Sequence, residues 1–115
     1  MQSTAGPVDD PRDIVERILA AVRAIPAGSV AGYGEVARRA GVPGRARLVA
    51  RILSRNRDPG LPWHRVLRAD GRIALETGSD GYREQIARLQ AEGVTVASGR
   101  VRLSPAQTLD EEIWG

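Results

Sequence analysis

Apolar residues recur at spacings of three and four near the start of the chain. Ile14, Ile18, Val22 and Ile25 predict one buried helical stripe. Asp10-Pro11 supplies an N-cap and a first-turn proline, Asp13 suits the positive end of the dipole, and Pro26-Ala27-Gly28 ends the helix. Val30-Ala31 reads as a short extended piece. A second helix is predicted from Tyr33 to Ala40, stopped by Gly41 in a left-handed C′ position. Val42-Pro43-Gly44 turns the chain into a third helix, Arg45 to Asn56. Two short helices joined by a glycine-containing turn predict a helix-turn-helix. Beyond the turn Arg57-Asp58-Pro59-Gly60, residues 66–68 and 72–74 flank Asp70-Gly71 and predict a β-hairpin that would serve as a wing. A flexible loop over 76–81 precedes a fourth helix from Tyr82 to Ala91, closed by Glu92-Gly93. Residues 94–96 and 100–103 flank Ala97-Ser98-Gly99 as a last short hairpin. The expected fold class is mainly α with small β, a winged helix-turn-helix. Residues 1–9 are expected to be disordered, 10–97 to form the domain, and 98–115 to be a C-terminal extension.

Composition narrows the chemistry. A chain of 115 residues supports one core, and with no phenylalanine and only four aromatics that core is aliphatic. There is no cysteine, which excludes disulfides, thiolate metal sites and thiol nucleophiles. One histidine argues against a zinc site, so no metal and no cofactor are expected. No apolar run approaches the roughly 20 residues of a spanning helix. The expectation is a soluble cytoplasmic protein, nucleoid-associated and monomeric, with no membrane partner.

The net charge of +3 conceals an asymmetry. All 17 basic residues are arginine, and ten of them fall between Arg38 and Arg72 against only Asp58 and Asp70. The other acids lie outside that window, with clusters at Asp9, Asp10 and Asp13 and at Asp110, Glu111 and Glu112. Such a basic middle suits a phosphate-binding surface, although a solvated charged face has the same composition.

The third helix is the informative one. Leu48, Val49, Ile52 and Leu53 form one face that must pack inward. Arg47, Arg51 and Arg55 form a stripe at i, i+4, i+8, with Arg45 just ahead, and Ala46, Ala50 and Ser54 leave the far face small. Helices that read base edges in the major groove carry long polar side chains. A small, smooth face flanked by arginines instead suits the minor groove, which is roughly 6 Å wide. An exposed helix built from good helix formers is the alternative.

Leu61-Pro62-Trp63-His64-Arg65-Val66 holds the single histidine and one of two tryptophans. The hexamer resembles the Pro-Cys-His-Arg-Val motif of the O6-alkylguanine-DNA alkyltransferases, with Trp63 where those enzymes keep the nucleophilic cysteine. That replacement marks the alkyltransferase-like proteins. The resemblance covers roughly residues 12–96, the DNA-binding domain of the enzymes. Ser29-Val30-Ala31-Gly32-Tyr33-Gly34-Glu35-Val36-Ala37 resembles the entry to their helix-turn-helix, whose tyrosine helps rotate the target nucleotide. Arg47, fourteen residues after Tyr33, falls where the family places the arginine finger that fills the space left by an extruded base. Asn56 matches a structural asparagine, and Glu92 the glutamate of a Cys–His–Glu relay. The link from Asn56 to Trp63 is shorter than in the enzymes, and the loop at 75–81 longer.

The resemblance implies a lesion pocket of Tyr33, Trp63, His64, Val66 and Glu92. Together with the arginine-flanked face of the third helix, it gives the expected DNA contacts as Tyr33, Arg45, Ala46, Arg47, Ala50, Arg51, Ser54 and Arg55. The implied partners are duplex DNA containing O6-alkylguanine and nucleotide excision repair proteins. The implied activity is non-enzymatic, because an indole N–H donates a hydrogen bond but cannot act as a nucleophile. Taken alone, Trp63 would be core, His64 a structural group held by Glu92 or backbone, and Arg47 one phosphate contact among several. Tyr82 and Trp114 read as core or tail packing. Two rival functions are a winged-helix regulator of undamaged DNA and a dealkylating enzyme using His64 or Glu92.

Overall fold

The computed structural model describes residues 10–102; the expectations for 1–9 and for most of 98–115 lie outside them. Helix α1, Pro11–Arg23, begins where Asp10 Oδ1 accepts the Arg12 N–H at 2.9 Å. Its stripe is buried as predicted, with Ile18 and Val22 fully enclosed and Ile25 just beyond the helix. The helix-turn-helix is α2, Tyr33–Arg39, and α3, Ala46–Ser54. Gly41, at φ +83°, ends α2: its N–H donates to the Arg38 carbonyl and the Val42 N–H to the Ala37 carbonyl. Arg17 Nε donates to the Ala40 carbonyl at 2.8 Å and ties α1 to this corner. Helix α3 is shorter than expected because Asn56 has left it. Both ends of its side-chain amide bond Asp58, donating to the carbonyl and accepting the N–H, each at 3.0 Å.

Where one core was expected there are two clusters of buried residues, and between them runs a parallel pair that the sequence did not announce. Strand β1, Ala31–Gly32, pairs with β2, Val66–Leu67, in the register Ala31 to Val66 and Gly32 to Leu67. All four residues are buried, as parallel strands require. Side-chain alternation along them divides the interior. Ala31 and Val66 face the helical core of α1, α2 and α3. Val30 and Leu67 face a second core with Ile73, Leu89, Val94 and Val101.

The wing departs from expectation. The Asp70-Gly71 turn forms, with the Gly71 N–H on the Arg68 carbonyl and the Arg68 N–H on the Arg72 carbonyl. Its arms do not continue as a 66–74 hairpin, because β2 is already engaged by β1 and the carbonyls of His64 and Val66 are taken by Gln85 Nε2, both at 3.1 Å. Residues 71–73 cross instead to the last hairpin, where Ile73 N–H donates to the Gly99 carbonyl and Val101 N–H to the Gly71 carbonyl. That hairpin is β3, Thr95–Ala97, and β4, Arg100–Arg102, joined by Ser98 and Gly99 at φ +53° and +73°. The boundary expected at residue 97 therefore falls inside the wing. Helix α4, Asp80–Ala91, starts two residues before the expected Tyr82, because the Ser79 hydroxyl caps it by accepting the Tyr82 N–H. Gly93 closes it as Gly41 closes α2.

Candidate nucleic-acid interface

Val49 is buried beneath α3, and Leu48, Ile52 and Leu53 pack partly covered on the helical core, which fixes the helix's orientation. The opposite face is open: Arg45, Arg47, Ala50, Arg51, Ser54 and Arg55 are exposed and Ala46 partly so. Arg47, Arg51 and Arg55 have no side-chain partner among the described residues. One turn away, Arg38 and Arg39 both donate to Glu35, Arg39 at 2.9 Å. On this corner of the molecule the charge that no described side chain meets is thus the α3 stripe.

A cavity of about 240 Å³ opens beside this face. Ala50, Leu53 and Ser54 of α3 form one wall, Tyr33 stands at the start of α2, and Trp63, Gln85, Asn56 and Leu75 complete it. Trp63 opens a 3-10 turn, Trp63–Arg65, that runs directly into β2. The buried Leu61 anchors the turn and accepts the Trp63 N–H at 2.8 Å. Arg88 lies with its guanidinium carbon 5.9 Å from the Trp63 ring centre, and His64 meets the indole edge-on at 6.3 Å. Burial raises the Tyr33 pKa, and the charge of Arg68 opposes the shift. Its hydroxyl remains a donor at neutral pH.

Of the expected pocket residues, Tyr33 and Trp63 line the cavity and His64, Val66 and Glu92 lie behind it. Glu92 is a hub. It accepts from His64 Nε2 at 2.9 Å, from Arg65 Nη2 at 2.6 Å and from the Gly28 N–H at 3.2 Å. Arg65 Nη1 continues to the Ile25 carbonyl at 2.7 Å. Burial works against the Glu92 charge, but the bonds from Arg65, His64 and Gly28 outweigh it and hold its pKa at about 2. The hub ties the Trp63 turn to the ends of α1 and α4, while His64 Nδ1 is enclosed without a partner among the described residues.

Gln85 escaped the sequence reading, although one signal was available: a polar residue on the buried stripe of α4, between Tyr82 and Leu89. Its amide nitrogen is spent on two carbonyls, and only its oxygen is left for a ligand. Arg88 gave no signal. Ser54 Oγ, in the lining, donates to the Arg51 carbonyl, and among the described residues no base addresses it. Among the described residues no group of side chains could hold a metal ion, and no helix is long and apolar enough to cross a membrane.

Residues 13–94 match the family model of the 6-O-methylguanine DNA methyltransferase DNA-binding domain. A DNA base-flipping protein of Vibrio parahaemolyticus is 42% identical over 90 residues, 76% of this chain and 87% of that one. Alkyltransferase-like protein 1 of Schizosaccharomyces pombe is 38% identical over 102 residues, 85% and 91% of the two chains. The crystal structure of S. pombe Atl1 in complex with damaged DNA containing O6-carboxymethylguanine superposes with a TM-score of 0.73 at 33% identity, over 83% of this chain and 92% of that one.

Proposed function

The chain belongs to the 6-O-methylguanine DNA methyltransferase DNA-binding domain family, and we propose that it binds O6-alkylguanine in duplex DNA without repairing it. The observation that carries this reading is the cavity beside α3 with Trp63 in its wall; the resemblance of Leu61-Pro62-Trp63-His64-Arg65-Val66 to the enzymes' motif gives Trp63 the position of their thiol.

The small face of Ala46, Ala50 and Ser54 enters the minor groove, and the arginines on either side neutralise phosphates. Unpairing the target costs a few kcal/mol, less where the alkyl group has already damaged the pair. Tyr33 crowds the adjacent phosphate and favours rotation, and Arg47 fills the vacated stack and bonds the orphaned partner base. The extruded base lies against Trp63, a contact of about 1–3 kcal/mol. The Gln85 oxygen, which accepts no bond within the described residues, suits a donor such as the exocyclic amine of guanine. The indole offers no lone pair to attack the alkyl carbon, and His64 and Glu92, which would orient a thiolate, orient the Trp63 turn instead. The held lesion then marks the site for nucleotide excision repair.

The test is incubation with a duplex containing O6-methylguanine, followed by mass spectrometry of both molecules. The expected result is an unmodified protein and a methyl group still on the DNA; a protein heavier by one methyl group would refute the non-enzymatic reading. Trp63→Cys is expected to transfer little, because the pocket is shaped around an indole.

A further inference from the structure

A second hollow, about 1000 Å³, lies between the wing and residues 72–77. Arg68, Arg72, Arg100 and Arg102 stand around it against Asp70 and Glu76. Asp70 is committed to the wing itself: its carboxylate lies 3.6 Å from Arg72 Nε, and its carbonyl accepts from Arg100 Nε at 2.9 Å. Arg68 and Arg102 are exposed and have no side-chain partner among the described residues. The apolar part of the lining comes from Ile73, Val101 and Tyr82. The Ser98-Gly99 turn is seated on Tyr82 so closely that a Cβ on Gly99 would come 2.5 Å from its hydroxyl.

This hollow adjoins the base pocket beside α3. Leu75, 40% exposed, is a wall of both the hollow and the base pocket. The parallel register sets Leu67 beside Gly32, so the next residues, Arg68 and Tyr33, leave the strand pair at the same end. The Arg68 charge is felt at the Tyr33 hydroxyl, in keeping with that placement.

We infer that the wing hollow is a second DNA contact, which holds the phosphodiester backbone on one flank of the base pocket. Guanidinium groups bind phosphate oxygens in pairs, and the less polar faces of deoxyribose suit an apolar lining. Four arginines would also attract an acidic peptide, but the hollow adjoins the pocket where DNA is already held. The inference rests on the DNA-binding reading of α3 and adds a separate set of residues to it.

The test is a salt series of anisotropy titrations comparing wild type with Arg68→Gln/Arg72→Gln/Arg102→Gln. It uses duplexes with and without O6-methylguanine, and lesion duplexes shortened on one flank or the other. Each lost phosphate contact lowers the slope of log K against log salt by about 0.9, so the triple variant is expected to lose about 2–3 in slope. The loss should be equal on modified and unmodified DNA. Shortening one particular flank should weaken wild type but not the variant, and the corresponding triple lysine variant should keep the wild-type slope. An unchanged slope would overturn the inference and leave the hollow as a protein-docking surface. Equal wild-type affinity for the two full-length duplexes would sink the lesion reading alone, since the slope on unmodified DNA still tests the wing.

Discussion

Arginine has opposite fates on the two sides of the base pocket. On α3, Arg47, Arg51 and Arg55 point into solvent with no acid between residues 45 and 57 to meet them. Behind the pocket, Arg65 spends its guanidinium on Glu92 and the Ile25 carbonyl and is largely covered. Like charges at i, i+4 repel by about 0.2–0.5 kcal/mol per pair, so the stripe is unfavourable in the free protein. A bound phosphate backbone removes that repulsion. The stripe is therefore built for a partner, and the hub for the fold.

The largest effect should come from breaking the hub. Glu92→Ala leaves Arg65 and His64 partly buried without their acid, and is expected to cost about 2–3 kcal/mol in urea unfolding, somewhat less than a fully buried pair because the site is partly hydrated. Lesion affinity should fall with it, since the Trp63 turn loses its anchor. Acid should do reversibly what the mutation does permanently. Glu92 has a folded pKa of about 2 against an ordinary 4.5. Its contribution is complete above about 4.5 and is lost as pH falls toward 2, because the unfolded chain takes up the proton first. The urea midpoint should drop across that window in wild type, and less in Glu92→Gln.

Mutations in the stripe should leave the fold alone and change binding. Arg47→Ala should weaken binding to an O6-methylguanine duplex by on the order of tenfold, more than Arg57→Ala; equal losses would argue against a finger role. Arg51→Ala should weaken modified and unmodified duplexes alike and lower the salt slope by about 0.9. The smallest effect is on stability, where alanine at 47, 51 or 55 should stay within about 0.5 kcal/mol of wild type by thermal melting. A larger loss would mean that the stripe also serves the fold.

Local chemistry explains what the sequence made legible. Asp10, Gly41 and Gly93 announce helix ends because each satisfies backbone groups a few residues away. The small, arginine-flanked face of α3 follows from helical periodicity alone. The pairing of β1 with β2 was hidden because a two-residue parallel ladder has almost no pattern and is set by contacts more than thirty positions apart in sequence. Asp70-Gly71 fixed a turn but not the strand its arms would join. Resemblance to the alkyltransferases pointed to Trp63 and Glu92, yet which of them touches the cavity depends on a 3-10 turn that places Trp63 in the wall and His64 behind it. Gln85 looked like an ordinary helix residue until β2 was laid beneath it.

The most direct measurement is an anisotropy titration at physiological salt with two duplexes that differ only in O6-methylguanine or guanine at one position. Much tighter binding to the modified duplex, with the methyl group still on the DNA afterwards, is the predicted result. Equal affinities would contradict lesion sensing and leave a winged helix-turn-helix that binds undamaged DNA.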